Sequence, residues 1–133
     1  SISKSDSTDW LHKYSDTSRP LIIDIGCGLG VSLLGLASLE SAGRGREASE
    51  LLGDVAIEDC NYLGGDLSGL TIRFGQGIAT RWNLQDRLQY TFASAEDLER
   101  VGRPLSTSFR RRLKRTMRKV MRCAHCLSVL RVS

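Results

Sequence analysis

Leu21 to Ile25 reads L-I-I-D-I, a nearly unbroken apolar run placed just after Pro20, which restricts Arg19 to extended geometry. Such a run is how a parallel strand buried on both faces is written. Past Gly30, the apolar residues Val31, Leu33, Leu34, Ala37 and Leu39 recur at helical spacing and predict a short crossover helix. From Glu40 to Asp59 the chain turns polar and loses its period, which predicts an enlarged loop with at most a helical turn at Glu47 to Leu52. "NYLGGDLS" from Asn61 reads as a second short strand ending in glycines and an aspartate. Leu70 to Leu84, with Ile72, Ile78 and Trp82, predicts a helix despite Gly75 and Gly77, and Leu88, Tyr90 and Phe92 alternate with polar residues as a third strand. Ser106, Thr107 or Ser108 then caps a helix whose Phe109, Leu113, Met117, Val120, Met121, Ala124 and Leu127 share one face, with arginines and lysines on the other.

The order strand, helix, strand, helix, strand predicts an α/β fold, a Rossmann-like parallel sheet with flanking helices. Its boundaries fall at residues 19–102, behind a serine- and aspartate-rich lead-in over 1–18 that reads as flexible, with Trp10 as its docking residue. A basic amphipathic helix or tail occupies 103–133. If only three strands form, the first keeps an open edge, and the expectation is that the tail helix or a protein partner covers it.

Length and charge sharpen this picture. The 133 residues suit one domain, and the net charge of +4 hides a division: up to Gly102 there are 9 basic and 15 acidic residues, and from Arg103 onward 10 basic and none acidic. No run approaches the roughly 20 apolar residues that a transmembrane helix needs. Cys27, Cys60, Cys123 and Cys126 are irregularly spaced and read as reduced thiols, so a soluble intracellular protein is expected. A chain opening at Ser1 reads as a fragment or a processed product.

The candidate chemistry lies at the strand ends. Gly26, Gly28 and Gly30 follow the first strand, where bare backbone turns sharply and lets a ligand lie against a helix N-terminus. A dinucleotide fingerprint, G-x-G-x-x-G, needs its third glycine at position 31, where this chain has Val31. Asp66 closes the second strand, where a carboxylate accepts both hydroxyls of a ribose; alone, such a residue is more often an ordinary turn residue. Ser94, Ala95 and Glu96 follow the third strand, placed to border a base or to cap a helix over "AEDLERV".

The acidic strand end with G-x-G-x-G, "DIGCGLG", resembles motif I of the class I S-adenosylmethionine-dependent methyltransferases. Taken in order, "LIIDIGCGLGVSLLGLA", "NYLGGDLS" and "ATRWNLQDRLQYTFASAEDL" resemble the N-terminal half of the tRNA (guanine-N7-)-methyltransferase family over about residues 19–99. That resemblance implies S-adenosyl-L-methionine as cofactor, with contacts at Asp24, Gly26, Asp66, Ser94 and Ala95 and with Gly28 and Gly30 completing the turn. It implies tRNA as partner and methyl transfer to guanine N7, a reaction that asks for positioning more than for acid–base help, so no catalytic residue is nominated. Where the family carries a P-D-P-W-P-K-K-R-H segment in its guanine site, this chain has "RPLSTSFRRRLKRTMRKVMRCAHC".

That basic segment supplies phosphate contacts without sequence preference, the alternatives being a solvated face packed on the sheet or a membrane-surface or calmodulin-type helix. A non-catalytic RNA-binding module, or a methyltransferase for another substrate, stays open beside the leading reading. "CAHC" at Cys123 to Cys126 is a zinc half-site with no second pair, so no metal is expected.

Overall fold

The computed structural model describes residues 10–25, 31–51, 56–93, 106–121 and 129–132. The elements run β1 (Leu21–Ile25), α1 (Val31–Ser41), α2 (Gly45–Leu51), β2 (Asn61–Asp66), α3 (Gly69–Arg81), β3 (Leu88–Phe92), α4 (Thr107–Met121) and β4 (Val129–Val132). They form a mixed α/β fold around one four-stranded sheet of order β3-β2-β1-β4. Strands β1, β2 and β3 are parallel and β4 is antiparallel to β1, an arrangement compatible with a partial Rossmann-like fold.

Alternation along the strands sorts the side chains into two cores. Ile22, Tyr62, Leu88 and Tyr90 face one side, where Leu33, Leu34, Leu36 and Ala37 of α1, Ala48 of α2, and Ile72 and Ala79 of α3 cover them. Leu21, Ile23 and Leu63 face the other, against Trp10, Tyr14, Leu113 and Val132, with Phe109 packed at the margin. Both faces of the parallel strands are therefore buried, which is why β1 carries no apolar–polar alternation.

The segment ahead of β1 joins the second core. Trp10 and Tyr14 meet edge to face with ring centroids 5.9 Å apart, and the Tyr14 hydroxyl donates to the Tyr62 carbonyl at 2.6 Å. At the entrance to the strands, the Glu40 carboxylate near the end of α1 pairs with Arg87 at 2.5 Å and accepts the Cys60 N–H at 2.9 Å. One side chain thus ties the end of α1 to the starts of β2 and β3.

Two elements differ from the sequence expectation. The stretch read as a loop from Glu40 to Asp59 contains α2, whose first turn is held by an exposed ion pair between Arg44 and Glu47 and whose Ala48 is buried. An acidic residue in a first turn complements the helix dipole there. The open edge of β1 is covered by strand pairing, not by the tail helix. β4, at the end of the basic segment, pairs Leu21 with Val132 and Asp24 with Val129, while α4 packs Phe109 and Leu113 against the sheet face. An edge of unpaired N–H and C=O groups is the stronger attractor for a short apolar segment such as V-L-R-V.

One glycine in α3 is set by close approach. A Cβ on Gly75 would lie 2.8 Å from Cζ of the Tyr90 ring, inside contact distance, whereas one on Gly77 would meet nothing within 4 Å. Gly75→Ala is expected to destabilise the chain by about 1–3 kcal/mol through overpacking. Gly77→Ala is expected to stabilise it by about 0.5–1 kcal/mol, because only the helix propensity changes. Urea unfolding of both variants checks this pair of opposite signs.

Burial pushes the Tyr14 hydroxyl well above its ordinary value of 10.0, and burial, then the nearby Glu40 carboxylate and Cys60, do the same to Tyr62. Above about pH 10 the unfolded chain sheds these protons before the folded chain does, so the stability tied to them is complete below that pH and falls as pH rises. Urea midpoints measured from pH 8 to 12 are expected to drop on the alkaline side only, with the tyrosinate absorbance of these two residues appearing together with unfolding.

Candidate functional site

The parallel strands β1, β2 and β3 end on the same edge of the sheet, and their register fixes what meets there. Asp24 lies opposite Gly64 and Ile25 opposite Gly65 on β2; on the far side of β2, Gly64 lies opposite Tyr90 and Asp66 opposite Phe92. Asp66 is therefore two positions further along the strands than Asp24, on the neighbouring strand. With strands about 4.8 Å apart and a rise of about 3.3 Å per residue, the two Cα atoms are about 8 Å apart.

Alternation places both carboxylates on the sheet face that α1 and α3 cover, since Ile22, Tyr62 and Tyr90 of the same parity belong to that core. In the row Asp24, Gly64, Tyr90 the middle position carries no side chain. Tyr90, in turn, leans its ring against the bare backbone of Gly75. The result is a sheet end that is narrow in side chains at its centre, with a carboxylate on each of two adjacent strands.

The two aspartates differ in setting. Asp24 is only 4% exposed, inside the sheet, whereas Asp66 is half-buried at the strand terminus. Asp66 Oδ1 accepts the Ser68 backbone N–H at 2.9 Å, and Ser68 Oγ accepts the Thr71 N–H at 3.3 Å as the N-cap of α3. A two-residue turn thus sets the plane of the Asp66 carboxyl group and starts the helix behind it. Charge-assisted acceptance of hydroxyl protons by a carboxylate held in this way is the chemistry the site offers.

Of the sequence-nominated residues, Asp24 and Asp66 are brought to this edge in adjacent strands. Gly26, Gly28, Gly30, Ser94 and Ala95 lie outside the described residues. Tyr90 and Phe92 also belong to the edge, although they were read only as strand-forming residues; their alternation in β3 was the available signal.

Other chemistry-bearing groups sit elsewhere. The Cys60 thiol is pushed up from its ordinary value by burial and by the Glu40 carboxylate, and it lies at the opposite end of β2, within the Glu40–Arg87 pairing. A thiol so shifted is a poor nucleophile. A groove of about 470 Å³ opens between α3 and the outer strand β3, lined by Lys13, Gln76, Thr80, Gln85 and Gln89 together with apolar atoms. It adjoins the start of β3 and does not reach Asp66. Among the described residues no group of three His, Cys, Asp or Glu could hold a metal ion, and no helix is long and apolar enough to cross a membrane.

The basic face of α4 stands on the opposite side of the sheet. Leu113 is buried, while Arg111, Arg112, Lys114 and Arg115 are exposed, and the Arg112 guanidinium lies 5.3 Å from the centre of the Phe109 ring.

No protein-family model matches the chain, and no solved structure matches it. Two curated proteins named tRNA (guanine-N(7)-)-methyltransferase do, one from Synechococcus elongatus and one from Synechococcus sp.. Each is 32% identical to this chain over 106 residues, a match that takes in 79% of this chain and 41% of the relative. The matched stretch therefore spans less than half the length of these relatives.

Proposed function

We propose that this chain is the cofactor-binding part of a methyltransferase that uses S-adenosyl-L-methionine and acts on guanine N7 of tRNA. The observation that carries the reading is Asp66, held by Ser68 at the end of β2, one strand over from the end of β1. Similarity to two relatives named for the tRNA reaction supports the choice of chemistry and substrate.

In this reading Asp66 accepts hydrogen bonds from the two ribose hydroxyls of the cofactor, and Asp24 anchors the turn that follows β1. Gly26, Gly28 and Gly30 form the bare backbone against which the cofactor lies, and Ser94 and Ala95 border its base. S-Adenosyl-L-methionine supplies an electrophilic methyl group on a sulfonium. Guanine N7 brings its own lone pair, so the protein removes no proton and its task is to align and to exclude water. The exposed cations of α4 give tRNA a sequence-independent hold on its phosphates.

That same basic face also favours a second reading, an RNA-binding module that keeps the sheet as scaffold without turnover. Calorimetric titration with S-adenosyl-L-methionine separates the two. Wild-type protein is expected to bind and Asp66→Ala to bind about 10- to 150-fold more weakly, the equivalent of about 1.5–3 kcal/mol for hydrogen bonds to a charged group. Equally weak heats in both proteins would remove the methyltransferase reading and favour the RNA-binding module.

A further inference from the structure

Helix α3 keeps large apolar side chains in water on the side turned away from the sheet. Its buried residues are Ile72, Gly75 and Ala79, so at about 100° per residue Leu70, Arg73, Phe74, Gly77 and Arg81 fall on the opposite side. Leu70 is 72% exposed, Phe74 46%, and Trp82, at the C-cap, 56%. Arg73 and Arg81 are exposed too, each directly preceding one of the two aromatic residues. The helix contains no acidic residue.

Gly77 sits between these two arginine–aromatic pairs. Nothing in the fold requires a glycine there, since an added Cβ meets only open space, and glycine in a helix interior is unfavourable relative to alanine. The outer face of α3 therefore carries Arg73, Phe74 and Arg81 around the bare backbone of Gly77, with the exposed Trp82 beyond them at the C-cap, and holds no acidic residue.

Those three features fit one kind of occupant, a polyanion that also carries planar groups. Phosphates complement Arg73 and Arg81, unpaired bases stack on Phe74 and Trp82, and the bare stretch at Gly77 lets a sugar–phosphate backbone approach. Phe74 and Trp82 are eight residues apart in the chain. At about 1.5 Å of rise per residue that is about 12 Å, the length of about three to four stacked nucleotides. The helix begins three residues after Asp66, so this track leads away from the candidate cofactor edge.

We infer that the exposed face of α3 is a track for unpaired nucleotides of an RNA, separate from the basic face of α4. The choice of RNA rests on the function proposed above; the surface itself rests on α3 alone.

Trp82 provides the reporter, because the other tryptophan, Trp10, is 2% exposed. The full chain is titrated with a short single-stranded oligouridylate at several salt concentrations, following tryptophan emission and, in parallel, the anisotropy of labelled RNA. Saturable quenching of Trp82 is expected. Trp82→Leu should weaken binding about tenfold through lost stacking, and Arg73→Gln and Arg81→Gln should each lower the slope of log affinity against log salt by about 0.7. Arg111→Gln, on the opposite side of the sheet, should leave both the quenching of Trp82 and its midpoint unchanged. Binding with unchanged Trp82 emission, and with Arg73→Gln and Arg81→Gln behaving as wild type, would overturn the α3 track and leave the RNA reading standing. No binding of either oligouridylate or tRNA would overturn both. Self-association that protects Trp82 without RNA would assign the face to a second copy of the chain and overturn the track.

Discussion

The parallel pairing of β1 with β2 is the constraint on which the rest depends. Its register sets Asp24 against Gly64 and leaves Asp66 at the end of the next strand. Side chains in a strand alternate faces, so a slip of one residue would send Asp66 to the opposite face and bring Leu63, which belongs to the second core, into the first. The register is therefore protected by both cores at once. Ile22 and Tyr62 lock it from the side of α1 and α3, and Leu21, Ile23 and Leu63 lock it from the side of α4 and the segment ahead of β1.

The pairing also divides the sheet into ends with different chemistry. At the strand entrances, charges are consumed internally: Glu40 binds Arg87 and the Cys60 N–H, and burial quiets the Cys60 thiol and the Tyr62 hydroxyl. Removing one partner of such a part-buried pair leaves a charge poorly compensated, so this end is built for cohesion. At the strand exits, the central position carries glycine, Asp66 stands half-buried at its strand terminus and Asp24 lies buried one strand over. Ligands of open parallel sheets settle at this end, because backbone and helix N-termini converge there.

How much of this was legible in the sequence can be argued residue by residue. The apolar run of β1, the N-Y-L-G-G-D of β2 and the alternation of Leu88, Tyr90 and Phe92 are local signals, and they led to the strands that form. The Ser68 cap and the Asp66 turn follow from side chains that bond their own backbone, which is again local. β4 was hidden because four residues, V-L-R-V, carry no period of their own and become a strand only when β1 offers an edge. The Glu40–Arg87 pair joins residues 47 apart in the chain, and no spacing rule reaches across that distance. The same holds for the Tyr14 hydroxyl on the Tyr62 carbonyl, which turns a polar lead-in into part of the core.

The central claim is that an adenosyl group settles at the exits of β1 and β2 with its sugar on Asp66. A crystal structure of the chain grown with S-adenosylhomocysteine tests it most directly. The account predicts both ribose hydroxyls within about 2.5–3.0 Å of the Asp66 carboxylate oxygens. A nucleoside bound in the groove between α3 and β3, or at the exits with its sugar turned away from Asp66, would contradict it.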